Sequence, residues 1–230
     1  MPSLVLDAPT LRVASYVMFS GTVLYAAKVL VAALRGRSGT AATTGVLGWS
    51  AQMDEIEGYP PGHGERVAAL AVAMAERYGL GQATADALHM AGLLHDVGEL
   101  EMGFIAQPGA LTAEETTLLW SHPIIGARMV AEAGYEAAGA IIRHHHERWD
   151  GTGYPDRLRG EAIPLPARIL AVADVYEAFC HDRPYRPGVG ADGALAELKR
   201  RAGTLLDPQV VQVFCTLQDG LAGDSPGGEF

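Results

Sequence analysis

The protein has 230 residues, enough for one large domain or for one domain with a small appendage. Apolar residues make up 49% of the sequence and charged residues 19%, which excludes global disorder. The formal net charge of −10 argues against broad binding to duplex DNA or RNA, although a metal ion can reverse the field inside a site for a small anionic substrate.

The N-terminal region differs from the rest of the chain. Residues 13–34 carry a single charge, Lys28, and are long enough to span a bilayer, in which case Arg35 and Arg37 would leave the C-terminal body in the cytoplasm. A buried or partner-packing helix explains the same pattern, and Lys28 weakens the membrane interpretation. We therefore expect a cytoplasmic protein, either anchored to the inner face of the cell membrane through residues 13–34 or using this helix for contacts such as homodimerisation.

The predicted domain organisation follows from composition. Residues 35–48 are rich in Gly, Ser and Thr, which predicts a linker with the domain boundary near Gly45. We assign residues 1–48 to the apolar helix and linker, 49–219 to one domain, and 220–230 to a flexible tail. The two cysteines lack zinc or disulfide spacing, which favours a reducing compartment.

The main domain is predicted to be all-α, because apolar residues recur at helical spacing and no segment alternates like a strand in a hairpin. Thr112 and Glu115 have the spacing of a capping box, which indicates a helix start. Besides the helix that opens there, the predicted helices cover residues 63–78, 83–96, 122–133, 136–146, 166–180, 191–201 and 208–217.

His95 and Asp96 end the second of these helices. An adjacent imidazole and carboxylate can both ligate a divalent metal ion. A histidine favoured by the helix dipole, with an exposed aspartate beside it, explains the same dipeptide. By itself the pair therefore does not establish a site.

A stronger pattern covers residues 144–155, which read HHHERWDGTGYP. On a continued helix, His145 and His146 would share the apolar face of Ile141 and Ile142. Buried imidazoles need partners, which a metal ion can supply. The alternative, a short solvated histidine run, fits poorly with the apolar neighbours and the glycine-rich turn that follows.

Three further residues extend the candidate set. Asp174 lies on an apolar helix face, where a carboxylate is costly unless it is paired or bound to metal. His63 shares a helical stripe with apolar residues, and His122 precedes a proline at a predicted helix start; each alone would more often be structural. Together these imidazoles and aspartates form an N/O ligand set suited to two-metal hydrolysis of phosphate esters, with attack by a metal-bridging hydroxide.

The ordered blocks LLHDVGE, SHPIIGARMV, HHHERWDGTGYP, ARILAVADVYEAFCHDRPYRP and AGTLLDPQVV resemble the HD-GYP family. These are the cyclic di-GMP phosphodiesterases among the HD metal-dependent phosphohydrolases, and the resemblance runs from about residue 63 to residue 213. It implies a helical HD core with a GYP extension, a site for two or three divalent metal ions, iron or manganese, and hydrolysis of cyclic di-GMP to pGpG or GMP.

The resemblance also implies roles for individual residues. Asp96 would bridge the metals, Tyr154 would line a guanine pocket, and Arg183 and Arg186 would contact phosphates and base. Gly151 and Gly153 would let the loop turn sharply near the site. The family's ligand positions fall on His63, His95, Asp96, His122, His145, His146 and Asp174.

Two departures from the family pattern affect the catalytic set. Glu99 stands where the family has a lysine that helps to hold the scissile phosphate, and a carboxylate there would repel a phosphodiester unless it is protonated or bound to metal. Tyr59 stands where trinuclear members have a glutamate, so we expect two metals unless Glu99 or Glu57 acts as a substitute ligand.

Two alternatives to a cyclic di-GMP phosphodiesterase follow. The chain could be a catalytically impaired module that binds cyclic di-GMP or protein partners, which Glu99 would favour. It could also be an HD phosphohydrolase for another nucleotide, such as a mixed cyclic dinucleotide. Retention of all seven ligand positions favours the active enzyme.

Overall fold

The computed structural model of the chain describes residues 40–103, 110–183 and 186–223. Within these ranges the regular elements are helices, accompanied by isolated β-bridges, and the all-α prediction is confirmed. The α-helices are α1 (Thr40–Glu57), α2 (His63–Arg77), α3 (Gln82–Leu94), α4 (Ala113–Leu119), α5 (His122–Glu132), α6 (Glu136–Arg143), α7 (Leu165–Cys180), α8 (Gly190–Arg201) and α9 (Pro208–Gly223), and 3₁₀ helices cover Val97–Glu101 and Gly160–Ala162.

The helices pack around one hydrophobic core. Helix α2 lies against α3 and α7, α5 lies against α6, and the contact of α3 with α6 joins the two groups. Helices α8 and α9, which follow α7 in the sequence, pack against α7. Burial of apolar surface on this scale is the main force that holds the helices together. The largest fully buried apolar side chains are Phe214, Met74, Leu88, Leu94, Ile142, Ile163, Ile169, Leu170, Leu198 and Leu206.

Two glycines allow the elements around the candidate site to approach closely. A Cβ atom at Gly92 on α3 would lie 2.5 Å from the Cα atom of Ala68 on α2, so only glycine permits this helix contact. A Cβ atom at Gly98 would overlap the carbonyl oxygen of His122. Both contacts bring helix ends that carry histidines and aspartates toward the same region.

The helix that precedes α2 corrects part of the predicted linker. Residues 40–48 belong to α1, where Val46 is buried and Leu47 and Trp49 pack against the core. Tertiary burial outweighs the weak helix propensity of the Gly- and Thr-containing segment. At the other end, residues 220–223 of the predicted tail continue α9.

Residues 1–39, including the apolar segment at 13–34, lie outside the described ranges. Of the helices that are described, none combines the length and the apolar character needed to cross a bilayer. Membrane attachment and homodimerisation through this segment stay predictions.

The predicted capping box is confirmed: the Thr112 hydroxyl accepts a hydrogen bond from the Glu115 backbone, and the Glu115 carboxylate accepts one from the Thr112 backbone. The predicted helix over 136–146 is too long, because α6 ends at Arg143 and His144–His146 form a turn. Nδ1 of His145 donates to the carbonyl of Ile142 at 2.6 Å, which satisfies one of the last carbonyls of the helix.

Candidate metal centre and active site

The first histidine of the site is fixed by the start of α2. Asp54, near the end of α1, accepts hydrogen bonds from the backbone nitrogens of Gly62 (2.6 Å) and His63 (3.2 Å). Gly62 has φ of 85°, a left-handed conformation that favours glycine. The carboxylate therefore caps the first turn of α2, and His63 is held there with only 3% of its surface exposed.

Four buried histidines are oriented by the same device. In each of them Nδ1 is held by a fixed oxygen acceptor, which places a proton on Nδ1 and leaves Nε2 as the nitrogen that can bind a metal ion. The acceptors are the Glu177 carboxylate for His63 and the carbonyl oxygens of Gly92 (2.9 Å), Leu119 (2.7 Å) and Ile142 (2.6 Å) for His95, His122 and His145. This is the orientation that a metal-binding imidazole requires.

Asp96 lies between imidazoles that come from different helices. Its Oδ2 atom is 2.8 Å from Nε2 of His95, whereas Oδ1 is 3.4 Å from Nε2 of His122 and 3.7 Å from Nε2 of His145. Because each oxygen faces a different part of the cluster, Asp96 has the placement that a bridging carboxylate needs.

All seven predicted ligand residues come together in two adjacent groups. In each group the potential ligand atoms lie within 4.8 Å of one another. One group comprises Asp96, His122, His145 and His146, and the other comprises His63, His95 and Asp174. Such mixed imidazole and carboxylate sets suit iron, manganese or zinc.

Unsatisfied polar atoms support a cation at this position. Nε2 of His63 and Nε2 of His95 are buried and have no hydrogen-bond partner of normal geometry within the described chain, although Nε2 of His95 lies 2.8 Å from Oδ2 of Asp96. Nε2 of His63 instead faces Oδ1 of Asp174 at 3.6 Å. Buried polar atoms normally have a partner, and a divalent metal ion would supply one to both nitrogens, so these residues fit a metal centre.

The charges of the cluster are strongly coupled. Burial lowers the pKa of His95, but the Asp96 carboxylate outweighs burial and raises the pKa to about 10. Burial, reinforced by the nearby His145 and His122, keeps the pKa of His146 well below its usual value. Asp96 is ionised, because the surrounding imidazoles outweigh its burial and hold its pKa well below the usual range. Metal binding would displace protons from such a cluster.

Glu57 and Glu99 form a second acidic feature beside the cluster. Their carboxyl groups are close enough to influence each other's pKa, and Oε1 of Glu99 lies 3.7 Å from Nδ1 of His122. Burial and the Asp96 charge raise the pKa of Glu99 to about 7, and the same two causes raise that of Glu57. Both residues therefore lie against the metal centre, although neither belongs to the two groups that the seven predicted ligands form.

The predicted substrate-binding residues divide into two cases. Tyr154 lies against the cluster, with its ring 5.0 Å from that of His146. Arg183 is 6% exposed, and its guanidinium stacks 3.5 Å over the ring of Tyr59. Arg186 points elsewhere: it donates to the carbonyl of Ala178 at 2.5 Å and stacks on Phe179, at the end of α7.

The loop of residues 151–155, which ends in Gly153, Tyr154 and Pro155 and is called the GYP loop here, uses its glycines in two different ways. Gly151 has φ of 80°, so the predicted sharp turn is present there. Gly153 is needed for space instead, because a Cβ atom would lie 2.7 Å from Cα of Glu147 and 2.5 Å from the carbonyl oxygen of His146. The loop backbone therefore passes directly over the histidine turn and places Tyr154 beside it.

Sequence reasoning missed two residues at the site. The Glu177 carboxylate is hydrogen-bonded to His63, Arg66 and Arg183, and the residue is only 1% exposed. Its position on an apolar helix, three residues after Asp174, was a sequence signal for a further acidic residue at the site. Trp120 is 53% exposed and stacks on Tyr154 with ring centres 5.7 Å apart. Its proximity to the GYP loop depends on tertiary packing and has no local signal.

A third group of possible ligand atoms comprises His144, Glu147 and Asp156. The Glu147 carboxylate accepts hydrogen bonds from the backbone nitrogens of Asp156 (2.7 Å) and Leu158 (3.0 Å). Arg143 forms a bidentate pair with Asp156. These contacts satisfy the two carboxylates of the group and hold the loop after the GYP block.

The chain is similar to known proteins in its sequence and in its fold. The model of a family described as HD domain matches residues 51–210. The chain is 42% identical over 155 residues to the cyclic di-GMP phosphodiesterase response regulator RpfG of Xanthomonas campestris, an alignment that covers 65% of this chain and 41% of that protein. It is 34% identical over 157 residues to 3′3′-cGAMP-specific phosphodiesterase 2 of Vibrio cholerae, covering 66% and 30%.

A solved structure resembles the chain as well. The cyclic GMP-AMP-specific phosphodiesterase V-cGAP3 of V. cholerae superposes with a TM-score of 0.64 at 22% identity, covering 79% of this chain and 50% of that one. At this identity the likeness concerns the fold. The chain spans less than half the length of each of these two curated relatives.

Proposed function

Because the chain belongs to the HD domain family and resembles its HD-GYP branch, we propose that it is a metal-dependent phosphodiesterase that hydrolyses cyclic di-GMP to pGpG or GMP. The observation that carries the proposal is the convergence of five imidazoles and two carboxylates in two groups that meet at His95 and Asp96. A relative with 42% identity is named for this activity, which supports the choice of substrate.

Two divalent cations, iron or manganese, held by the seven residues would act as Lewis acids that lower the pKa of water and stabilise charge on a phosphodiester. Asp96 would contribute one oxygen to each group. The acceptors at Nδ1 keep the imidazoles of His63, His95, His122 and His145 in the binding orientation and avoid the cost of ordering them when a cation arrives.

Arg183 and Tyr154 are the residues that we assign to the substrate. Nε and Nη1 of Arg183 are buried and have no hydrogen-bond partner in the described chain. A guanidinium with unused donors suits a phosphate oxygen or a guanine edge. Tyr154 would close the side of the site next to His146.

A second candidate substrate is 3′3′-cGAMP, favoured by the 34% identity to a relative specific for it. A third candidate is a binding module without turnover, favoured by the carboxylate of Glu99 beside His122, where the family has a lysine. Both use the same site, so product analysis separates them from the main proposal.

The proposal is tested by incubating the protein, loaded anaerobically with Fe²⁺ or with Mn²⁺, with cyclic di-GMP and with 3′3′-cGAMP in parallel. Chromatography should reveal pGpG or GMP from cyclic di-GMP, and His95→Ala should abolish these products. His89→Ala is a matched control, since His89 lies exposed on α3, the helix that ends directly before His95. No product from protein that holds two metals would overturn the proposal, and faster hydrolysis of 3′3′-cGAMP would reassign the substrate.

A further inference from the structure

We propose that Trp120 is the stacking surface for a nucleobase of the substrate. The inference rests on the proposed function, since it assigns a base to the site that would cleave the phosphodiester. Trp120 lies between α4 and α5, outside the seven candidate ligands and outside the blocks that carry the family resemblance.

The Trp120 side chain lines a cavity of about 590 Å³. One wall comes from the α4–α5 corner and the other from the GYP loop; the lining residues are Thr117, Trp120, Ser121, Ile124, 151–155 and Arg157. This volume lies in the range of small-molecule sites, which are concave and combine aromatic side chains with a few polar groups.

Tyr154 separates the cavity from the metal centre, since it lines the cavity and also lies against His146. The ring of His146 is 5.0 Å from that of Tyr154, and the ring of Tyr154 is 5.7 Å from that of Trp120, inclined by 23°. Trp120 is therefore one aromatic ring farther from the candidate ligands than Tyr154. A nucleotide whose phosphate lies at the centre would extend its base in this direction.

The exposure of Trp120 is what a stacking platform requires. A tryptophan buries much of its surface in most folded proteins, whereas 53% of this one is exposed. Its contact with Tyr154 fixes the ring plane without covering both faces. Stacking on a fixed aromatic ring is a common way to bind a nucleobase, because every base has a π-face.

The polar part of the cavity fits a nucleotide. Arg157 lines it and has φ of 54°, an uncommon conformation for a residue other than glycine. A guanidinium can donate two hydrogen bonds to O6 and N7 of guanine. The combination of a basic side chain and aromatic rings therefore favours a purine nucleotide as the occupant.

The competing occupant is a protein partner, because Leu118 and Ile124 are also exposed near Trp120. Leu118 lies on the same helix as the cavity residue Thr117 but does not line the cavity. Leu118→Ala is therefore a matched control: it reduces the exposed apolar surface and leaves the cavity walls in place.

The test compares wild type with Trp120→Ala, Trp120→Phe and Leu118→Ala. If the wild type hydrolyses cyclic di-GMP, we expect Trp120→Ala to raise KM by about tenfold or more, the size of effect that loss of one base–aromatic stack produces. Trp120→Phe and Leu118→Ala should stay close to wild type. Metal content should be equal in all four proteins.

If the wild type does not hydrolyse cyclic di-GMP, the proposed function fails, and the same comparison is made on the dissociation constant for cyclic di-GMP by calorimetry. An unchanged KM or dissociation constant in Trp120→Ala would overturn the inference, as would no binding to the wild type. An equal effect of Leu118→Ala, or a change of oligomeric state in both variants without a change in affinity, would assign the surface to a protein partner instead.

Discussion

Glu177 on α7 is hydrogen-bonded to Nδ1 of His63, the first residue of α2. The same carboxylate accepts hydrogen bonds from Arg66 (2.6 Å) and Arg183 (3.1 Å). One buried acid therefore orients a candidate metal ligand and fixes the arginine assigned to the substrate. Loss of this acid should affect both.

We expect Glu177→Gln to weaken metal binding at the His63 group by about 10- to 100-fold, because the carboxylate orients the ring and increases its basicity. Competition with a chelator, followed by metal analysis, measures the effect. Glu197→Gln is the control, since Glu197 pairs with Arg200 on the surface of α8. Equal metal affinity in wild type and Glu177→Gln would contradict the orienting role.

The same variant should reveal a pH dependence of stability in the metal-free protein. Burial raises the pKa of Glu177, but His63, Arg66 and Arg183 outweigh burial and lower it to about 2, from 4.5 in the unfolded chain. The stabilisation by the carboxylate is therefore complete above about pH 4.5 and is lost as the pH falls toward 2. The difference in urea midpoint between wild type and Glu177→Gln should be constant from pH 8 to about pH 5 and should then shrink. A difference that grows on acidification would have the wrong sign.

Removal of predicted ligands should separate metal binding from folding. We expect His145→Ala and Asp96→Ala to lose metal and hydrolysis while helical content by circular dichroism stays close to that of the wild type. Asp96 faces both groups, whereas His63 belongs to one group. Asp96→Ala should therefore lower the number of bound metal ions more than His63→Ala does. Unchanged metal stoichiometry in both variants would disprove the ligand assignment.

Glu99→Lys tests whether the carboxylate limits turnover. A lysine there would pair with Glu57 and present positive charge to the phosphodiester, so we expect kcat/KM for cyclic di-GMP to rise by up to about tenfold. Glu99→Gln separates the loss of negative charge from the gain of positive charge. If activity and metal content fall together in Glu99→Lys, Glu99 is a working ligand instead.

Gly153→Ala tests the close passage of the GYP loop over the histidine turn. The added methyl group would overlap the backbone of residues 146–148, and we expect a loss of about 1–3 kcal/mol in the free energy of unfolding, measured with urea. Gly48→Ala, where the methyl group meets no atom within 4 Å in the middle of α1, should be neutral or stabilising. Equal stability of wild type and Gly153→Ala would show that the loop can move away.

The sequence predicted the all-α class, the positions of most helices of the main domain and the seven residues that converge at the centre. Helical periodicity and capping patterns are local and can be read from spacing, whereas the full set of seven ligand positions followed from the resemblance to the HD-GYP family. The ends of elements were less accurate: residues 40–48 are helical because Val46 and its neighbours are buried, and α6 ends three residues early at the histidine turn.

Only the tertiary structure decided how these residues are held and what surrounds them. Glu177 and His63 are 114 residues apart, and Trp120 meets Tyr154 through the packing of α4 and α5 against the GYP loop. The burial of Arg183 against Glu177 and Tyr59 likewise depends on α1, α2 and α7 being in place. Such contacts join distant parts of the chain, and no local pattern encodes them; the sequence determines the chemical groups, and packing of the core determines which of them meet.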